Sequence, residues 1–311
     1  MRSAAPSRQG SAHHLLTSKR RGFAVTVTPK YTAGELRSVS PFRYPGGKAF
    51  LSDFLAAKLA LIKGRSKHYA EPFCGGAGAA VILLKSGLVD QLHLNDADIR
   101  VYSAWKAMLD EPARFVDRVH SVSVDMRTWQ WASEVVNKSN LKSYDFDLGF
   151  ATFFLNRTSR SGIIFRAGPI GGYNQTGNWK IDARFNRTAL GERVHWLGSV
   201  RERITLTNED GLTFLHRSLI RVPLAKTLFF VDPPYVQAGG RLYLNAMNEP
   251  KHIALSDILQ NPKLRHWVLT YDDHPLIRSL YQAQNIENLG VTYSLQNKRK
   301  EREVLIQPVS G

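Results

Sequence analysis

Thr227-Leu228-Phe229-Phe230-Val231-Asp232-Pro233-Pro234-Tyr235 is the stretch that decides the fold. Its first five residues are apolar or β-branched and show no polar alternation. That pattern predicts a central strand covered on both faces. Pro233 and Pro234 cannot continue a sheet ladder, so the strand stops at Asp232 on a stiff backbone. Ligands of open α/β sheets bind at the carboxyl ends of strands. Asp232 and Tyr235 are therefore expected at the lip of a cleft.

Working outward, an α/β rhythm surrounds this strand. Upstream, residues 69–73 read as a short strand entering the turn Gly75-Gly76-Ala77-Gly78, followed by a helix over 79–85. Residues 91–96 read as a second strand, and Ile99, Tyr102, Trp105 and Met108 follow at helical spacing. Strand, glycine turn, helix, strand, helix is the opening of a doubly wound nucleotide-binding sheet. Further strands are expected at 203–207, 266–270, 291–295 and 304–308, with helices at 50–62, 212–219, 253–259 and 275–284. The last two strands would form a closing antiparallel hairpin around a charged turn at 297–303.

Between these halves the chain changes character. Helical pieces are expected at 113–119, 128–136 and 146–156. A segment at 157–187 then holds five arginines and one lysine against one aspartate, with Tyr173, Asn174, Gln175, Asn178 and Trp179 interleaved. Cations suit phosphates, amides and Arg suit base edges, and aromatic rings suit stacking. The whole chain of 311 residues carries +16, and residues 1–40 hold only +6 of it. The remaining +10 belongs to the folded part, which points to a polyanion, most simply nucleic acid.

Composition also excludes classes. No run of about 18 apolar residues suggests a transmembrane helix. The N-terminal stretch is basic and polar, without the apolar centre of a secretory signal. A single cysteine, Cys74, rules out internal disulfides and cysteine-based metal sites and fits a cytoplasmic setting. The ten histidines form no metal-binding spacing, so no metal is expected.

The glycine turn is not a strict dinucleotide fingerprint, because Val81 stands where a third glycine would fall. Asp96 ends the second strand and suits the hydroxyls of a ribose. A tight packing turn with Asp96 or Asp98 capping the next helix explains the same residues equally well.

Combined with that turn, Asp232-Pro233-Pro234-Tyr235 resembles the motif pair of amino-methyltransferases that use S-adenosylmethionine. Phe42-Arg43-Tyr44-Pro45-Gly46-Gly47-Lys48, Asn95-Asp96, Phe154-Leu155-Asn156-Arg157 and Glu303-Val304-Leu305-Ile306 extend the likeness, in order, to Dam-like DNA adenine-N6 methyltransferases. The resemblance spans about residues 41–311. It implies a Rossmann-like methyltransferase sheet formed by 41–98 and 191–311. A mostly helical DNA-recognition domain is inserted at 99–190, and a flexible basic extension covers 1–40.

The resemblance further implies S-adenosylmethionine contacts at Tyr44, Lys48, Glu71, Phe73, Gly75, Asp96 and Asp232. Catalytic roles fall on Asp232, Pro233 and Tyr235, and DNA contacts on Asn156, Arg157 and Arg166. The substrate is adenine N6 in double-stranded DNA. Two rivals remain at this point: an RNA or other amine methyltransferase, and a DNA-binding protein with a relic cofactor pocket. Nothing fixes the oligomeric state, and a monomer is compatible. The sequence departs from the family at Tyr44, where a tryptophan is frequent, and at Ala77, where a glycine is frequent.

Overall fold

The computed structural model describes residues 39–43, 47–138, 140–165, 167–237, 247–290 and 302–309. In chain order, helix α1 covers Ser52–Leu61, strand β1 His68–Glu71, α2 Gly78–Lys85 and β2 Gln91–Asn95. Five helices follow: α3 at Ile99–Asp110, α4 at Pro112–Ser121, α5 at Met126–Lys138, α6 at Phe146–Thr158 and α7 at Arg187–Ser199. The chain then forms β3 at Ile204–Thr207, α8 at Gly211–Arg221, β4 at Thr227–Val231 and α9 at Glu249–Leu259. It closes with β5 at Trp267–Asp272, α10 at Pro275–Leu280, β6 at Asn285–Gly290 and β7 at Arg302–Gln307.

The seven strands form one sheet in the order β3-β2-β1-β4-β5-β7-β6. Strands β3, β2, β1, β4 and β5 pair in parallel, and β7 pairs antiparallel with both β5 and β6. The chain winds outward from β1 through β2 to β3, then crosses back to β4 beside β1. That reversal is a topological switch point, and it opens a crevice at the carboxyl ends of β1 and β4. The expected Rossmann-like sheet is therefore present.

Every residue of β4 is buried, as its apolar run requires. Leu228 and Phe230 face one apolar cluster, which also receives α1, α2 and α3; Phe229 and Val231 face a second, with α8, α9 and α10. The sheet is thus sandwiched between two helical layers. Burying each phenylalanine contributes roughly 2 kcal/mol before entropy is counted.

The first cluster continues without a break into the intervening helices, through Phe115, Phe150, Phe153, Phe154 and Val194. Helix α6 is buried on nearly all sides: Phe146, Leu148, Phe150, Phe153, Phe154 and Leu155 spread round it, and only Asp147 is exposed. It crosses α3 so closely that a Cβ on Gly149 would sit 2.5 Å from the Ser103 carbonyl oxygen. The helical segment therefore shares the sheet's core.

One expectation needs correction and another lies outside the described residues. The strand expected at 291–295 lies outside the described residues; the strand that pairs with β7 is β6, at Asn285–Gly290. Asn-Ile-Glu-Asn-Leu-Gly has little strand propensity, and its pairing with β7 overrides that. The helix expected to reach 284 stops at Leu280, because the backbone leaves helical angles at Tyr281 (φ −113°, ψ 21°). Helix α7 falls in a stretch the sequence reading left without an element. Its signals were a capping Asn186, which accepts from the Ala189 N–H at 3.0 Å, and Leu190, Val194 and Leu197 at helical spacing.

Candidate active site

The carboxyl ends of β1, β2 and β4 bring Glu71, Asp96 and Asp232 to one edge of the sheet. They line a cleft of about 840 Å³, with Phe73, the glycine turn, Lys48, Pro234 and Phe165 also on its walls.

Asp232 is fixed from three directions. Thr270, on the neighbouring β5, donates its hydroxyl to Asp232 Oδ1 at 2.6 Å. Lys48 Nζ pairs with Asp232 Oδ2 at 3.2 Å and with Glu303 Oε1 at 3.6 Å. Tyr235 Oη donates to Glu303 Oε1 at 2.9 Å and lies 3.2 Å from Asp232 Oδ1. The Lys48 ammonium sits 5.3 Å from the centre of the Tyr235 ring, whose other neighbour is Tyr271. Pro233 and Pro234 are buried. The chain leaves the tetrapeptide with the Val236 and Gln237 amides donating to Asp272 at 3.1 and 2.9 Å.

Glu303 and Thr270 complete this cluster. Glu303 stood out only as part of a matching terminal motif, and Thr270 not at all. No local pattern marks them, because β7 and β5 reach Asp232 only through sheet pairing.

The glycine turn is equally tied down. Gly75 adopts a left-handed φ of 46°. Its N–H donates to Asp96 Oδ2 at 2.9 Å, and its carbonyl accepts from Trp105 Nε1 at 2.8 Å. Asp98, not Asp96, caps α3, accepting from the Arg100 N–H at 3.0 Å. Asp96 instead braces the turn: besides the Gly75 N–H on Oδ2, its Oδ1 accepts from the Asp98 N–H at 2.9 Å, and the residue lines the cleft. Asn95 is fully buried and links three strand ends through Pro72, Thr207 and Glu209. Ala77 occupies the left-handed region at φ 43°, ψ 37°, a conformation that glycine adopts without strain.

Enclosure alters two of the carboxyls. Burial pushes Glu71 up to about 8, and nearby Asp232 adds to it; the Tyr69 hydroxyl at 3.0 Å and the Ala80 amide pull it partly back. Enclosure also pushes Asp96 up to about 7, with Asp98 adding to it, although one edge of Asp96 still opens on the cleft.

Of the residues expected at DNA, Asn156 requires a correction. It is fully buried, and its amide is spent on backbone: Oδ1 accepts from the Arg43 N–H at 2.7 Å, and Nδ2 donates to the Gly162 carbonyl at 2.8 Å. It fastens two loops together and presents no face to a ligand. Gly162, at φ 75°, approaches the Arg43 carbonyl so closely that no side chain fits there. Arg157 is also buried, donating to the Arg184 and Pro41 carbonyls, but it reaches the cleft wall. Tyr44, Arg166 and most of the charged turn at 297–303 lie outside the described residues.

A doubly wound sheet with Asp-Pro-Pro-Tyr at the end of its central strand, next to a glycine turn, defines a methyltransferase of the class that acts on amino groups. The family is narrower. The chain belongs to the D12 class of N6 adenine-specific DNA methyltransferases, whose family model matches residues 44–295, and it is accordingly an adenine-specific DNA methyltransferase. Glu303 lies beyond the matched span. No curated protein matches the chain. Among solved structures it is similar to two of the rRNA methyltransferase aviRa from Streptomyces viridochromogenes. One is 15% identical, with 85% of this chain and 86% of that chain covered and a TM-score of 0.37. The other is 13% identical, with 89% and 93% covered and a TM-score of 0.38. Among the described residues no helix is long and apolar enough to cross a membrane, and no cluster of His, Cys, Asp and Glu is placed to hold a metal.

Proposed function

We propose that the cleft binds S-adenosylmethionine and receives an adenine flipped out of duplex DNA, with Asp232 as the group that orients its N6 amine. One observation carries this reading: Asp232 is held by Thr270 and Lys48 on the wall that also carries the glycine turn and Asp96. The donor set fits the cofactor. Asp96 lines the cleft, and the lone pairs its two oxygens keep beyond the Gly75 and Asp98 amides suit ribose hydroxyls; the volume of about 840 Å³ lies in the range of cofactor pockets. Lys48, Glu71, Phe73 and Gly75 line the same space. Tyr44 belongs to the same proposal by sequence alone.

The bound cofactor supplies an electrophilic methyl group on a sulfonium. The chain's task is to prepare the amine, whose lone pair is delocalised into the adenine ring. Asp232 and the Pro233 carbonyl accept its two N–H hydrogens, which rehybridises the nitrogen and turns its lone pair outward. The buried prolines, Thr270 and Lys48 hold that geometry before substrate arrives, which is catalysis by position. Tyr235 lies beside Asp232 as a surface for the flipped base, and leaving the duplex costs a few kcal/mol. Asn156 acts indirectly, by holding the loop that carries Arg43. Cys74 is buried and takes no part. A cytoplasmic setting belongs to the same reading.

The test is to incubate the protein with labelled S-adenosylmethionine and either duplex DNA or RNA, then to separate the nucleosides. Label in N6-methyladenosine of the deoxy series is expected. Label in RNA alone would overturn the duplex-DNA reading. If about six phosphates are contacted, log affinity falls against log salt with a slope of roughly −5.

A further inference from the structure

One end of the cleft is a wall of four arginines: Arg43, Arg157, Arg184 and Arg193. They come from three separate parts of the chain. Arg43 precedes the Lys48 loop, Arg157 ends α6, Arg184 precedes α7 and Arg193 lies within it. Among the described residues, Arg43, Arg157 and Arg184 form no ion pair with any carboxylate; their bonds run to backbone or to the face of Trp179. Arg43 Nη1 is buried without a hydrogen-bond partner among the described residues. Arg157 is 8% exposed, its guanidinium donating to backbone carbonyls, and Arg193, Arg43 and Arg184 line the same wall close enough to act on its charge.

Such an arrangement is costly in isolation. A buried cation wants a paired anion, and cations crowded together repel. Burial, followed by the three neighbouring guanidiniums, pulls the Arg157 pKa down, which is the signature of that cost. The wall also adjoins other features that attract anions. Ser40 joins it to the glycine turn, accepting from Arg193 Nη1 at its carbonyl and donating its hydroxyl to the Gly76 carbonyl at 2.6 Å. Helix α2 starts at that turn, and its N-cap residue, Ala77, brings no side-chain acceptor.

We propose that the Arg43–Arg157–Arg184–Arg193 wall is a binding site for an oxyanion, either the carboxylate of the cofactor or a phosphate of the DNA strand. Guanidinium forks match both groups bidentately. The identity of the two sources rests on the function proposed above; the site itself does not. Arg157 serves as the buried anchor, and Arg43, Arg184 and Arg193 close around the ligand.

The double variant Arg184→Gln, Arg193→Gln tests this with the full chain, because both side chains lie outside the core. Sulfate is the neutral probe. Exchanging chloride for sulfate at constant ionic strength should raise the melting temperature of the wild type more than that of the variant. Calorimetry with S-adenosylmethionine and with its decarboxylated form then reads the first source. If the cofactor carboxylate is the anion, the variant loses about 10-fold affinity for the former and none for the latter. A DNA titration over salt reads the second. If a phosphate is the anion, DNA affinity falls about 10-fold and the salt slope weakens by about 1.

Arg184→Lys, Arg193→Lys should recover part of whichever loss occurs, since it restores charge without the fork. Equal behaviour of wild type and Gln variant in the sulfate, cofactor and DNA measurements would overturn the site. Should the double variant fail to fold, Arg184→Gln alone carries the same three measurements, because that side chain is exposed. A wild type that binds neither cofactor nor DNA would instead refute the proposed function, while the sulfate melts still decide the site.

Discussion

The two ends of the cleft handle charge in opposite ways. At the Asp232 end, each charged group meets an opposite one: Lys48 lies between Asp232 and Glu303, and Tyr235 and Thr270 supply hydroxyls. At the arginine end, cations gather with carbonyl acceptors but no carboxylate on Arg43, Arg157 or Arg184 among the described residues. The first end is organised by the protein's own side chains and is ready before any ligand arrives. The second is organised for something from outside. A site that moves a methyl group needs both, a rigid centre and an unfilled electrostatic demand that draws reactants in.

The strongest way to break this contrast is to remove Asp232. Asp232→Ala should lower methyl transfer by at least about 10³-fold while leaving DNA binding largely intact. Single-turnover label transfer and a DNA-binding titration read the two separately. Near-normal turnover would show that the balanced end is not the reacting centre.

Glu303→Gln comes next. The amide can still accept from Tyr235, but the negative charge facing Lys48 is gone. Lys48 and Glu303 are 5% and 1% exposed, so the loss of charge falls on a desolvated pair. Stability should drop by about 3 kcal/mol in urea unfolding. A change within error would mean that Asp232 alone balances Lys48.

A pH series sharpens the same point on Glu71. Its folded pKa is raised to about 8 from an ordinary 4.5, so the folded state holds the proton more tightly. Stability from that proton is complete below the ordinary value and is lost as pH rises through about 8. Partly buried His68, His93 and His266 and buried His252, all lowered by enclosure, act in the opposite sense, losing stability as pH falls below the usual histidine range. The difference between wild type and Glu71→Gln isolates the carboxyl. From pH 5 to 8.5 the wild type should lose stability relative to the variant by roughly 1 kcal/mol per pH unit, and parallel curves would place the proton elsewhere.

The smallest effect lies on the turn between the two ends. Ala77→Gly relieves a left-handed alanine, worth about 1 kcal/mol, but frees the unfolded chain by a similar amount. A net change under about 0.5 kcal/mol in thermal melts is expected; a large loss would show that the Ala77 methyl packs productively.

These residues also show what a sequence can display. β4 and Asp232 were legible because an apolar run and two prolines are local signals with a single physical reading. The glycine turn was legible for the same reason. Thr270 could not be seen, since a threonine inside a strand is ordinary until its neighbour strand is known. β6 at Asn285–Gly290 carries no local strand signal, because its residues become a strand only against β7. Asn156 was assigned to DNA by its motif, whereas its surroundings give it a loop to fasten. What is local in cause was readable. What depends on pairing across the sheet was not.

Strand β7 is the last of the seven in the chain, yet it sits between β5 and β6. The five parallel strands, and β6 as well, all precede β7 in the chain. Glu303 rides on that strand, so Lys48 and Tyr235 meet it only when the sheet closes. The five parallel strands can therefore pair without β7, yet the centre is not assembled until β7 joins them and brings β6 with it.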